Sequence, residues 1–479
     1  MKMLTCSKLS NFFLSASRQI TRRFVLLFFV GCFSAHAQEP NQTQKQSESG
    51  KSPVWLQTSE LPAQATESDS AKKKPGLVSS AVNWFRRTSL PGDLQIHGFA
   101  GQSYILTSDN DVFGNSDAGG SFGFTEAGLN ASARLSPKLQ LSSQMLSRRA
   151  GQGTSATPRL DYAVLDYRAY SHEMNQFGIR VGRLKNPFGF YNDTRDVPFT
   201  RPSIMLPQSI YFDRTRNFGL SGDSVQVYGE NAISNWGTVS TQFGVLWPLV
   251  HNRDTEVAFL GKPQPGHLTR EASYIGRSVF ETNDKRIRLA VSGAWFNSSY
   301  DPAGKDDHLG PGSFQFTPIF FSAQYNTERW SLTSEYALRH SKFDKNFGTS
   351  SPLSGSNFYG ESFYFQGEYR FTPKWETILR YDVFFADRAD RDGSRFVEKG
   401  NAFIHSLGDP PGIQHPVAHS RFAKDITVGL RWNITPEFML RAEYHRVDGT
   451  GWLSKLDNPV SKDTSEHWDL YAIQASYRF

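Results

Sequence analysis

Three short constellations in this chain carry the residue types that catalysis or metal binding needs. Gly119-Gly120-Ser121-Phe122-Gly123 has the spacing of a nucleophile elbow. Such an elbow holds its serine on a strained turn between a strand and a helix. Here a loop-like stretch precedes Ser121 and alternating residues follow it, so that support is missing. Asp109-Asn110-Asp111 opens like a calcium loop. Phe113 and Gly120 then stand where an EF-hand needs oxygen ligands, and the pattern fails. Looser divalent binding at the surface stays open for this segment. His405, His415 and His419 share one stretch, where metal ligation and plain solvation are both admissible. Beyond residue 37 there is no Cys-x-x-Cys, no His-Glu-x-x-His and no phosphate-binding Gly-rich Lys-Ser/Thr loop. The expectation is a protein without catalysis, cofactor or structural metal.

Charge is the remaining chemistry, and it has to be divided along the chain. The total is 52 basic and 46 acidic residues. Residues 1–91 contain 12 and 5 of these, which leaves 40 and 41 for residues 92–479. The basic balance therefore belongs to the N-terminal part, and a nucleic-acid partner gains no support from it.

Residues 1–37 read as a secretory leader. Arg18, Arg22 and Arg23 precede the apolar run Phe24–Phe33, and Ala35-His36-Ala37 offers small residues for cleavage. That run is shorter than the roughly 20 residues a membrane-spanning helix needs. Val30-Gly31-Cys32 is a rival, lipoprotein-like cleavage box. Both cysteines, Cys6 and Cys32, lie in the leader, so disulfides do not hold the exported chain together. Residues 38–91, rich in Gln, Ser, Lys and Pro, read as a flexible segment. Leu77–Trp84 could form a short amphipathic helix there.

From residue 92 to 479 the pattern is a period of two. Ala127, Leu129, Ala131, Ala133 and Leu135 alternate with polar Asn130 and Arg134. Ile426, Val428, Leu430 and Trp432 alternate with Thr427 and Arg431. Such strands have one apolar and one polar face. Short turns fall at Ser136–Lys138, His172–Asn175, Ala232–Asn235, Asn283–Lys285, Asn326–Arg329, Thr372–Lys374 and Thr435–Glu437. Between them lie longer connections near 107–121, 149–159, 185–222, 249–270, 298–313, 342–357, 387–419 and 448–465. Seven turns and eight loops join sixteen strands. Short turns at one rim and long loops at the other predict an all-β, transmembrane antiparallel barrel. A mean hydropathy of −0.48 and a 14% aromatic share suit a barrel with polar lumen and loops. Tyr471, Ile473, Ala475, Tyr477 and Phe479 alternate to a terminal aromatic. This ending resembles the C-terminal signal of outer-membrane proteins, which the barrel assembly machinery reads.

A charge costs a few kcal/mol when it faces lipid at the midplane, so the strand charges are expected inside. Arg134, Arg180, Arg288, Arg380, Arg431, Arg441 and Arg478 would face the lumen, with Glu126, Asp166, Glu335, Glu368, Asp382 and Glu443. The 185–222 connection is too long and too apolar for an idle surface loop. Packing Phe188, Phe199 and Met205 against the wall would fold it inward, bringing Lys185, Arg195, Arg201, Arg214 and Arg216 to a constriction.

Gly182-Arg183-Leu184-Lys185-Asn186-Pro187-Phe188-Gly189 and the Arg195–Asp213 stretch resemble the phosphate-selective porin O/P family. The resemblance covers roughly residues 92–479 and is strongest at 178–229. It implies a sixteen-stranded trimeric channel, biased toward anions in the phosphate-selective members. Acids here equal bases, so phosphate, a dicarboxylate or another small hydrophilic solute remain open. The partners implied are membrane lipid and lipopolysaccharide, the assembly machinery, a homotrimer and small anionic or neutral solutes. A surface adhesin with a blocked pore and an outer-membrane hydrolase are the alternatives.

Overall fold

A computed structural model describes residues 94–304, 307–348 and 353–479. The leader, the 38–91 segment and the helix read at Leu77–Trp84 lie outside the described residues. The first half contains β1 (Gln95–Thr107), β2 (Ser121–Ser136), β3 (Leu139–Ala150), β4 (Thr154–Ser155), β5 (Arg159–His172), β6 (Asn175–Lys185), β7 (Ser221–Ile233), β8 (Gly237–Pro248) and β9 (His267–Leu268). The second half contains β10 (Ser273–Thr282), β11 (Ile287–Asp301), β12 (Ser313–Asn326), β13 (Trp330–Phe343), β14 (Asn357–Arg370), β15 (Trp375–Phe385), β16 (Phe422–Asn433), β17 (Phe438–Gly449) and β18 (His467–Arg478). Among the described residues, three α-helices sit in the long connections: α1 (Arg216–Leu220), α2 (Arg253–Leu260) and α3 (Ser394–Ser406).

β4 and β9 are two-residue pieces, and the other sixteen strands form one antiparallel barrel. β1 pairs with β2 on one side and with β18 on the other, as in Gly98↔Leu129 and Phe99↔Arg478. Phe479 completes the seam: its N–H donates to the Gly98 carbonyl at 3.0 Å, and Gly98 N–H returns a bond of 3.0 Å. The terminal ring lies so close that a Cβ on Gly98 would stand 2.3 Å from Phe479 Cζ. With the sheet closed, its strands have no unpaired edge.

The strand faces follow the alternation. On β16 Asp425 and Thr427 are buried, whereas Ile426, Val428 and Leu430 are 49, 48 and 43% exposed. Leu379 and Tyr381 flank buried Arg380 on β15 in the same way. An apolar outer row around a charged inner row fits lipid outside. Among the described residues, no helix is long and apolar enough to cross a membrane; the strands make the crossing.

The short turns cluster at one rim. Thr372 Oγ1 accepts from Lys374 N and Trp375 N at 3.2 Å each, and Thr435 Oγ1 accepts from Glu437 N at 3.2 Å and Phe438 N at 3.0 Å. Trp375 N and Phe438 N also reach the Thr372 and Thr435 carbonyls, and the hydroxyls give Lys374 N and Glu437 N a partner within the turn. Beside them Trp375 stacks on Trp432 at 5.0 Å and Trp330 meets Tyr369 at 4.5 Å. Amphipathic rings suit the level of the lipid headgroups.

The lumen departs from the expected polar interior. Ala290, Ala294, Phe296, Phe314 and Phe320 on β11 and β12 point inward and are buried. Phe188, Phe190 and Phe218 pack on them, with Phe188 5.2 Å from Phe320 and Phe218 4.4 Å from Phe296. One sector of the barrel is therefore a hydrophobic core, because there the inner wall contacts a folded loop and not water. The charged inner wall occupies the remaining strands.

Candidate functional site: the loop that crosses the barrel

Residues 186–220 leave the wall after β6 and return at β7. Two asparagines close the base of this loop: Asn192 Nδ2 donates to Asn186 O at 2.8 Å and Gly219 O at 2.9 Å, and Asn186 Nδ2 to Gly219 O at 3.2 Å. Gly189 then turns the chain inward with φ +52°. A Cβ here would lie 2.3 Å from the Tyr211 hydroxyl and 2.5 Å from Glu335 Oε1, so glycine is required for both conformation and space.

The loop is wired to the wall on opposite sides. Buried Glu335 on β13 accepts from Phe190 N at 2.9 Å, and from the hydroxyls of Tyr211 and Ser322 at 2.5 Å and Tyr364 at 2.8 Å. Arginines hold the carbonyls of the extended stretch. Arg441 donates to Pro198 O at 2.6 Å, Arg201 O at 2.5 Å and Ser203 O at 3.1 Å. Arg380 reaches Met205 O at 3.0 Å, Arg339 reaches Ser209 O at 2.6 Å, and Arg277 reaches Gly189 O at 3.1 Å. A buried segment with little regular structure must find partners for its backbone. Guanidinium groups, with five donors each, supply them.

Between the loop and the β2–β6 wall lies a dense cluster of charges. Glu126 takes Arg148 at 3.3 Å and Arg201 at 2.5 Å. Asp213 takes Arg148 at 2.5 Å, with Arg195 at 3.8 Å. Lys185 meets Asp161 at 2.5 Å and also pairs with Asp196, which binds Arg216. Arg159 completes the group beside Asp161. Six bases face four acids, a surplus of two positive charges.

The expected site residues thus separate. Lys185, Arg195, Arg201 and Arg216 join the charge cluster, while Arg380 and Arg441 clamp the loop. Arg180 pairs with Asp166 at 2.9 Å and lies 3.7 Å over Tyr228. Arg288 covers Phe190 at 4.6 Å, and Arg431 bonds Asn433 at 3.0 Å. Arg214 is half-buried against Phe212 at 5.1 Å and Phe384 at 5.7 Å. Arg134 stands apart, exposed at the turn end of β2 beside a register shift. Arg148, Asp161, Asp196, Arg277 and Arg339 were missing from the sequence-based set. The inward parity that Arg148 shares with Gln144 could have revealed it; Asp196, on the loop, has no such signal.

Above the cluster, Asp111, Asp213, Arg214, Asp254, Trp452 and Asp457 line a cleft between long loops. Asp254 on α2 accepts from Ser454 Oγ at 3.1 Å, and Asp457 accepts from Gln152 N at 2.9 Å. Burial pushes Asp254 up to about 7 and Asp457 up to about 6.

The other constellations stay separate. Ser121 Oγ donates to Phe113 O at 2.8 Å and opens a strand. Asn110 Nδ2 ties its loop to Ser465 O at 2.9 Å. His405, His415 and His419 contact Asp409, Asn401 and Thr464 respectively. Asp448, Glu466 and His467 do bring ligand-type atoms within 4.8 Å of one another at the outer rim. There Lys424 already holds Asp448 at 2.7 Å.

A closed sixteen-strand barrel, apolar outside and crossed by a folded-in loop, has the architecture of an outer-membrane porin. The family model for phosphate-selective porin O and P matches residues 107–479, and the chain belongs to that family. Among solved structures it is similar in fold to OprB of Pseudomonas putida, at 11% identity over 81% of this chain and 94% of that one, with a TM-score of 0.51. The outer membrane channel DcaP of Acinetobacter baumannii aligns at 13% identity over 82% and 99%, TM-score 0.49. An anion-selective porin from Comamonas acidovorans aligns at 11% identity over 81% and 98%, TM-score 0.46. No curated protein matches the sequence.

Proposed function

We propose that this porin passes small hydrophilic solutes with a preference for anions, and that residues 185–222 form its constriction. The surplus of two positive charges between the loop and the β2–β6 wall carries this reading, because fixed charges at a narrow point select ions by sign. The strong pairing of those charges argues for a moderate bias rather than a dedicated phosphate ladder. Phosphate and small carboxylates fit equally. Transport here is diffusion, without a chemical step or cofactor.

The protein works as a homotrimer. The outward rows of β1, β2 and β5 carry Ala100, Ala127, Ala131, Ala133 and Ala163, small residues that let neighbouring walls approach closely. Lipopolysaccharide surrounds the remaining outer rim, and the strand ending in Phe479 is the segment offered to the assembly machinery. Liposome swelling tests the transport claim. Vesicles containing the protein should swell in small sugars and faster in small carboxylates; swelling no faster than in empty vesicles would refute it.

A further inference from the structure

His445 lies on β17, 1% exposed, with each ring nitrogen facing a carboxylate. Nδ1 is 2.9 Å from Asp425 Oδ2 on β16, and Nε2 is 3.3 Å from Glu443 Oε2 on its own strand. Only a ring protonated at both nitrogens donates to both oxygens. Glu443 in turn accepts from the N–H groups of Ile204 and Met205, the latter at 3.2 Å. It is thus a wall carboxylate gripping the constriction loop where that loop passes β17.

The other charges facing this group are few. Arg380 on β15 touches Thr427 Oγ1 at 3.2 Å and Ser203 Oγ at 3.0 Å, and Asp382 on the same strand lies opposite Asp425. Arg441 lies further along β17, bonded to loop carbonyls. β18 presents Leu470 across from His445, and the loop presents Ser203, Ile204 and Met205. When protonated, the His445 ring is the cation placed directly between Asp425 and Glu443, with Arg380 facing both from β15.

We propose that His445 is a positioning residue whose proton holds Glu443 against the Ile204–Met205 backbone, making the width of the constriction respond to pH. This rests on the reading of 185–222 as the constriction. Without the proton, two buried carboxylates share one neutral ring. Arg380 and Arg441 still face Glu443, but neither bonds its carboxylate. A buried charge without a bonded counter-charge is costly, so Glu443 turns away or takes a proton, and either change weakens its bonds to the loop. The loop then moves off the wall and the pore widens.

The test uses the full-length protein, with barrel assembly checked by heat-modifiable gel migration. Single-channel conductance is recorded against pH for the native protein, His445→Gln and His445→Lys. The native channel should step to higher conductance as pH rises. His445→Gln should be flat at the higher level, and His445→Lys, which keeps the charge, flat at the lower one. A native-like step in His445→Gln overturns the proposal, as does a native profile with no step. A silent native bilayer defeats the conduction reading instead, and hydrogen exchange of the peptide holding Ile204 and Met205 then decides. Exchange about tenfold faster or more in His445→Gln supports the latch, as expected for lost bonds to a charged acceptor; equal rates overturn it. If His445→Gln does not assemble, Glu443→Met, which leaves the Ile204 and Met205 N–H groups without that acceptor, takes its place with the same expectations.

Discussion

Asp213→Asn changes one charge in the cluster while keeping the side chain's shape. Asp213 accepts from Arg148 at 2.5 Å, stands 3.8 Å from Arg195 and borders the open cleft above them. The amide oxygen of asparagine can still accept from Arg148, so the loop should hold. The balance of six bases to four acids becomes six to three. One added unit charge about 6 Å from a passing ion, in water, is worth roughly 0.7 kcal/mol. That raises local anion occupancy about threefold and lowers cation occupancy by about the same factor. Screening at about 0.1 M salt, with a Debye length of roughly 10 Å, reduces the combined change to about fourfold. The assay is the reversal potential in a tenfold KCl gradient across a planar bilayer, with about 0.1 M salt on the concentrated side. The ratio of chloride to potassium permeability should rise about fourfold. An unchanged ratio, with single-channel conductance intact, would refute a conduction path beside Asp213.

Further expectations follow from the same contacts. Arg214→Glu, at a half-buried position that holds no loop carbonyl, should move the reversal potential toward cations. Tyr211→Phe removes the hydroxyl that links the loop to Glu335 and should cost the loop about 1–3 kcal/mol, seen as higher and noisier single-channel conductance. Gly98→Ala puts a methyl where the Phe479 ring lies and should lower the yield of heat-modifiable barrel. The packing of Asp254 between loops should depend on pH. Its carboxyl is raised to about 7 by burial, from an ordinary value of 3.8. The packed state therefore binds the extra proton, and its stability rises as pH falls from about 7 toward 3.8. Protease resistance of the 249–270 connection should be greater at pH 5 than at pH 8, and Asp254→Asn should remove the difference.

The strands and connections were legible because their causes are local. A period of two persists along each strand, and turns such as Thr372-Pro373-Lys374 announce themselves in three residues. The half-apolar lumen was less legible. On β12, Phe316-Thr317-Pro318-Ile319-Phe320-Phe321 places apolar residues on both faces, so the alternation that separates inside from outside is lost. Such a stretch reads as a strand buried on both sides, yet it does not say what covers the inner one. The pairings were hidden for another reason. Glu126 meets Arg201 and Glu335 meets Tyr211 only because of the path the loop takes, and nothing in a residue's neighbours specifies that path. Arg180, Arg380 and Arg441 are buried on their strands, whereas Arg134 is exposed at the turn end of its own. That Arg380 and Arg441 serve the loop's backbone, while Lys185 and Arg216 share Asp196, required the folded loop itself.

The central claim is a conducting barrel whose 185–222 loop sets its ion preference. Single-channel recording of the purified protein in a salt gradient tests it most directly. Stepwise openings with a reversal potential on the anion side are the predicted result. A silent bilayer from protein that migrates as a folded barrel, or a reversal on the cation side, would contradict it.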